Sequence, residues 1–186
     1  MAYFTAVLSQ VDGRQDWRSV DVDLEAGSPD ELGDLLRSAV DDVDTPVIAV
    51  LEREDEWFAL VRTDAGVDVR VFVSDAVAAA DSSFAELFAE LPPPNGVLPR
   101  PPASADATEP EDDGDGDDGE PATEPAVSPE PVVAPTLWAG DADLLADLGC
   151  SAETLVQLAA AGDDPSAATV RIGELTGFAD ALEALR

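Results

Sequence analysis

Apolar positions recur along this chain with two different periods, and a long stretch between them shows neither. Near the N-terminus, Tyr3-Phe4-Thr5-Ala6-Val7-Leu8 suits a strand, and Val11-Asp12-Gly13-Arg14 suits a turn. From Trp17 to Leu24, Val20, Val22 and Leu24 alternate with Asp21 and Asp23, the period of a half-buried strand. Ser28-Pro29-Asp30-Glu31 is a helix start: Ser28 caps, Pro29 fits the first turn, and Glu31 completes a capping box. Leu32, Leu35, Leu36, Ala39 and Val40 then form one apolar face, and Asp41-Asp42 with Pro46 closes the helix. Val47-Ile48-Ala49-Val50-Leu51 is continuously apolar, as expected of a central strand covered on both faces. An acidic turn at Glu54-Asp55 leads into Trp57-Phe58-Ala59-Leu60-Val61 and predicts a hairpin. Val67, Val69, Val71 and Val73 alternate as a further strand. Ser74 is placed to cap a helix through Ala76–Ala80, and Phe84, Leu87, Phe88 and Leu91 continue its spacing up to Pro92.

This β-β-α-β-β-β-α order predicts an α+β domain over residues 1–91, a mostly antiparallel sheet with one or two covering helices. Residues 92–136 hold twelve of the fifteen prolines, many acids and no aromatic residue. Such a stretch cannot bury enough apolar surface to offset its ordering entropy, so a disordered acidic, Pro-rich linker is expected. Residues 137–186 predict a small all-α module. Leu144, Leu145 and Leu148 end at Gly149, Ser151 caps a second helix, and Asp164-Pro165 starts a third, with breaks expected at Gly173 and Gly177. A module of about this size is marginal alone and needs a surface to dock on.

Composition narrows the chemistry. The 186 residues include no histidine, no lysine and one cysteine, with 41 acidic residues against nine arginines and a net charge of −32. The usual general base, the Schiff-base amine and the P-loop lysine are therefore missing. Cys150 alone cannot build a zinc site. Neither a metal nor a cofactor is expected, and the chain is read as a non-enzyme. Nine arginines scattered among carboxylates do not make a phosphate-binding surface, so direct nucleic-acid binding is not expected. The acidity also disfavours membranes and favours a basic protein partner. No leader-like segment or run of 18 apolar residues occurs, and a lone cysteine suits a reducing compartment; the expected location is the cytoplasm.

Several side chains invite a chemical role. Asp113, Asp115, Asp117 and Glu124 fall at positions 1, 3, 5 and 12 of a calcium-loop template, but Asp118 stands where the loop needs Gly, and prolines replace the flanking helices. Cys150 and Ser74, Ser82 and Ser83 lack any His or Lys to activate them. The carboxylate pairs Asp41/Asp42 and Glu54/Glu56 are what a dense acidic surface produces by chance. The aromatic residues say more. Trp57 and Phe58 are neighbours on one strand and point to opposite faces, so one is core and the other an interface anchor unless both faces are covered. Trp17 and Trp138 are further candidates for partner contact, Trp138 because it borders the linker.

Particular strings carry a family resemblance. They are Met1-Ala2-Tyr3-Phe4, the helix Ser28–Val40, Glu54–Arg62, and the junction Arg70-Val71-Phe72-Val73-Ser74-Asp75-Ala76. Asp143–Gly149 and the ending Ala181–Arg186 complete the set. In these the chain resembles the actinobacterial tRNA adenosine deaminase-associated proteins. The resemblance covers both ordered regions and not the linker. It implies association with a deaminase, not deaminase activity, because a zinc deaminase needs H-x-E and P-C-x-x-C motifs that this chain lacks. Three functions fit these features. The first is a noncatalytic cytoplasmic accessory protein binding the tRNA adenosine deaminase or another basic protein. The second is an acidic nucleic-acid mimic occupying a partner's RNA-binding surface. The third is a histidine-free carboxylate enzyme.

Overall fold

The expected strands all form, and a further one that the pattern did not announce completes the sheet. The computed structural model describes residues 3–11, 16–22, 24, 28–40, 45–53, 55–64, 69–89, 91, 137–162 and 164–186. Among these, six antiparallel strands pair in the order β2-β1-β3-β4-β5-β6. They are β1 (Tyr3–Gln10), β2 (Trp17–Val20), β3 (Val47–Arg53), β4 (Trp57–Thr63), β5 (Arg70–Val73) and β6 (Ala139–Gly140). Helix α1 (Pro29–Ser38) connects β2 to β3, and α2 (Ala76–Ala80) and α3 (Ala85–Phe88) follow β5. After β6 come a 3-10 turn (Ala146–Leu148) and helices α4 (Ala152–Ala160), α5 (Pro165–Thr176) and α6 (Ala179–Glu183). The architecture is α+β. The 92–136 segment and the calcium-loop pattern within it lie outside the described residues, as does the Asp12-Gly13-Arg14 turn.

Strand alternation sorts the sheet into two faces, and each is covered. Val7, Val47, Ala49, Leu51, Trp57, Ala59, Val61, Val71 and Val73 face α1–α3, meeting Leu32, Leu36, Ala79, Leu87 and Phe88. Ala6, Leu8, Ile48, Val50, Phe58, Leu60 and Phe72 face the C-terminal segment, meeting Leu144, Leu145, Leu155, Ile172, Phe178 and Leu182. Residues 137–186 therefore supply the second helical layer of the same sheet. Each fully buried Leu, Ile or Phe contributes roughly 1.5–3 kcal/mol, so neither face could be left open cheaply.

Local chemistry explains most element ends. Ser28 Oγ accepts from the Glu31 amide at 3.2 Å, the cap expected from sequence. The second cap differs. Asp75, not Ser74, caps α2, its carboxylate accepting from the Val77 and Ala78 amides at 2.9 Å. Ser74 instead extends the β4–β5 ladder, its hydroxyl accepting from the Phe58 amide at 2.9 Å. The helix expected across 76–91 is broken, because Ser82 Oγ donates to the Ala79 carbonyl and accepts from the Phe84 amide, which competes with helical bonding. In the C-terminal segment Ser151 and Asp164 cap α4 and α5 as expected, while residues 146–148 close only a 3-10 turn.

Two glycines act through the space they leave. α5 runs straight through Gly173, where a Cβ would come within 2.9 Å of the Ala179 backbone, so this glycine admits α6 and does not break the helix. Gly140 has φ +97°, and a Cβ there would lie 2.1 Å from the Val71 carbonyl oxygen. Only glycine lets β6 close on β5.

Candidate functional site

The four aromatic residues singled out by sequence are distributed over the two cores. Trp57 is fully buried on the α1–α3 face, edge-to-face with Phe88 at 5.4 Å and Phe84 at 6.5 Å. Phe58 is buried on the opposite face beside Phe72 at 6.1 Å. Both faces are covered, so neither ring reaches the surface of this chain. Trp138 is half-buried and stacks on Phe72 at 5.7 Å. Trp17 is half-buried, edge-to-face with Phe178 at 5.8 Å, its indole N–H donating to the Thr176 carbonyl at 3.3 Å. Phe58, Trp138 and Trp17 thus all serve the join between the sheet and residues 137–186.

Three arginines fasten that join. Arg62 projects from β4 on the same face as Phe58 and Leu60 and is 4% exposed. It donates to Asp147 with both terminal nitrogens, at 2.5 and 2.8 Å, to the Leu144 carbonyl at 2.7 Å and to Asp64 at 2.9 Å. Burial pulls its pKa down, but the bonds to Asp147 and Asp64 outweigh this and leave it above the ordinary value. Arg70 donates to Asp141 at 2.7 Å. Hydrogen bonds from Arg62 and Arg70 hold the Asp147 and Asp141 carboxyls below the usual range. Both acids therefore favour the folded state above the unfolded Asp value of about 3.9, and that contribution disappears as pH falls through their lower folded values. Acidification below about pH 4 should accordingly raise amide exchange in 144–148 before it raises exchange in β3. Asp147 is exposed and Asp141 part-exposed, so solvent screening keeps the effect modest.

The third arginine shapes a surface cleft at the end of the sheet. The β1–β3 register pairs Tyr3 with Arg53 and Phe4 with Glu52. Arg53 lies over the Tyr3 ring at 5.9 Å, and Arg186 lies over the Phe4 ring at 5.1 Å. Glu52, 5% exposed, accepts from Arg186 Nη2 at 2.6 Å and from the Thr169 hydroxyl. Arg186 Nη2 also donates to Thr169 Oγ1 at 3.0 Å, and Nη1 to Ser166 Oγ. Beside this network opens a cleft of about 310 Å³ walled by Tyr3, Phe4, Glu52, Asp55, Asp164 and Ser166. Asp55 sits in the β3–β4 turn at φ +58°, and Asp164 caps α5.

Sequence reasoning did not single out this cleft. One signal was available: Glu52 shares the face of Ile48 and Val50, an acid in register with the core. Its partners Thr169 and Arg186 lie more than 100 residues away and left no local trace. The other candidates stay apart. Cys150 is buried and its thiol is pushed up by burial, which lowers its thiolate fraction. Ser74 and Ser82 are occupied as described, and Ser83 lies on the turn between α2 and α3. Glu56 pairs with Arg53 at 2.8 Å. Asp41, Asp42 and Glu54 lie outside the described residues. Among the described residues no group of three or more His, Cys, Asp or Glu is placed to hold a metal ion. No helix among them is long and apolar enough to cross a membrane.

Fold and surface together define an acidic α+β protein, an antiparallel sheet sandwiched between helices. Residues 3–179 match the family model described as Rv3753c-like tRNA adenosine deaminase-associated protein, and the chain belongs to that family. No curated protein and no solved structure matches it.

Proposed function

We propose that this chain is a noncatalytic accessory protein that binds a tRNA adenosine deaminase in the cytoplasm. The observation that carries the reading is the family itself, whose description names the association and spans nearly the whole chain. The charge supports it: at −32, the surface complements a basic partner such as a protein that binds RNA, and speeds encounter with it. The contact is made by the acidic surface, with Trp17 and Trp138 as the two of the four aromatic candidates still part-exposed and Trp57 and Phe58 supporting them from the core.

Calorimetry of the full chain with the deaminase of its own host tests the reading. Saturable binding at tens of micromolar and low salt is expected, weakening toward physiological salt as the Debye length shortens to about 8 Å. Absence of binding at low salt would end the reading. Excess tRNA distinguishes the mimic: it displaces a mimic from the deaminase, whereas an accessory subunit stays bound in a ternary complex.

A further inference from the structure

We propose that the Phe4–Glu52–Thr169 cradle is an arginine-binding site, held by Arg186 in the isolated chain and yielded to an arginine from a basic partner segment. It builds on the accessory reading in one respect, that a partner supplies the arginine. The cradle has the parts a guanidinium requires. Phe4 offers a ring face, the Glu52 carboxylate a charge-assisted acceptor, and Thr169 Oγ1 and Ser166 Oγ further acceptors. Arg186 shows that a guanidinium fits there. Glu52 is nearly buried, so it needs a cationic partner but does not specify which one supplies it.

The occupant is poised to leave. Leu182 is the buried residue of α6, and Ala184, Leu185 and Arg186 beyond it are exposed. The Arg186 amide makes only a turn bond to the Glu183 carbonyl at 3.2 Å. Exchange of this side chain breaks no β-ladder or helix hydrogen bond, and the incoming guanidinium takes over the fastening to Glu52, Ser166 and Thr169. The cleft gives the incoming side chain a path. Its 310 Å³ equals roughly ten waters at about 30 Å³ each, the low end for ligand sites and suited to one long side chain. Its charge draws a cation: among the residues that line it, Glu52, Asp55 and Asp164 outnumber Arg53 by three to one. A planar guanidinium, which stacks and donates in a fork, suits this geometry better than an ammonium.

The test is an NMR titration of the full-length chain with N-acetyl-arginine amide, using N-acetyl-alanine amide and N-acetyl-lysine amide as comparisons. The arginine probe should shift the amides of Phe4, Glu52, Ser166 and Thr169 and release the Arg186 side-chain signals; the alanine probe should do neither, and the lysine probe should bind more weakly. Arg186→Ala, checked for folding by its melting curve, should bind the arginine probe about tenfold tighter, as for a site free roughly one-tenth of the time in the wild type. Adding Glu52→Gln to that variant should abolish the gain. Unchanged Arg186 signals at saturation in the wild type would overturn the proposal without recourse to any variant. So would shifts spread over the whole acidic surface, or an Arg186→Ala chain that folds and binds no tighter. Deaminase binding that persists without any probe response would sink this inference and leave the accessory reading intact; the opposite pattern would do the reverse.

Discussion

Replacing Trp57 by Ala should lower the stability of this chain by about 3–5 kcal/mol, and Phe58→Ala should cost a similar amount. In a protein of this length that is a drop of roughly 10 °C or more in melting temperature. The two residues are sequence neighbours, yet their rings belong to different cores. Trp57 fills the space between β3–β4 and α3, against Phe84 and Phe88. Phe58 fills the space under the C-terminal helices, against Phe72. Trp57→Phe keeps a ring edge-to-face with Phe88 and should recover most of the loss. Near-UV circular dichroism through a thermal scan measures each effect. Amide exchange separates them: Trp57→Ala should loosen α1–α3 first, and Phe58→Ala should loosen α4–α6. A Phe58→Ala chain that melts like the wild type would mean that the C-terminal layer does not seal that face in solution.

Arg62→Ala is the second large effect, about 2–3 kcal/mol. Breaking a fully buried pair typically costs about 3–5 kcal/mol, because a charge is left without a partner in a dry site. Here the carboxylates left behind are partly wet: Asp147 is 59% exposed and Asp64 25%, which softens the loss. The Leu144 carbonyl loses its donor as well. Arg62→Lys should restore little, since one ammonium cannot grip Asp147 with two parallel bonds and also reach Leu144 and Asp64. Exchange should rise across 144–182 while β3 stays protected. Asp147→Ala should be milder than Arg62→Ala, and the double variant should cost less than the sum, because the two act as one unit. Equal protection of both layers in Arg62→Ala would show that the clamp does not hold the C-terminal segment.

Period-2 alternation located β2 and β5, short apolar runs located β1, β3 and β4, and Ser28-Pro29 and Asp164-Pro165 located helix starts, because local apolar patterning and capping are fixed within a few residues of chain. The apolar run 47–51 announced a strand covered on both faces. The charge and the missing His and Lys are properties of composition, and no fold alters them. Long-range pairing settled the rest. β6 is two residues long and exists only because Gly140 lets it approach Val71. Gly173 looked like a helix break and is a contact point for the Ala179 backbone. Trp57 and Phe58 could not be assigned to core or surface from their own strand, since that depends on what covers each face. The covering layer on one side comes from Leu144–Leu182, far along the chain from Phe58. The cleft follows the same rule. Phe4, Glu52, Thr169 and Arg186 are brought together by sheet register and helix docking, and nothing in their local sequence encodes that meeting.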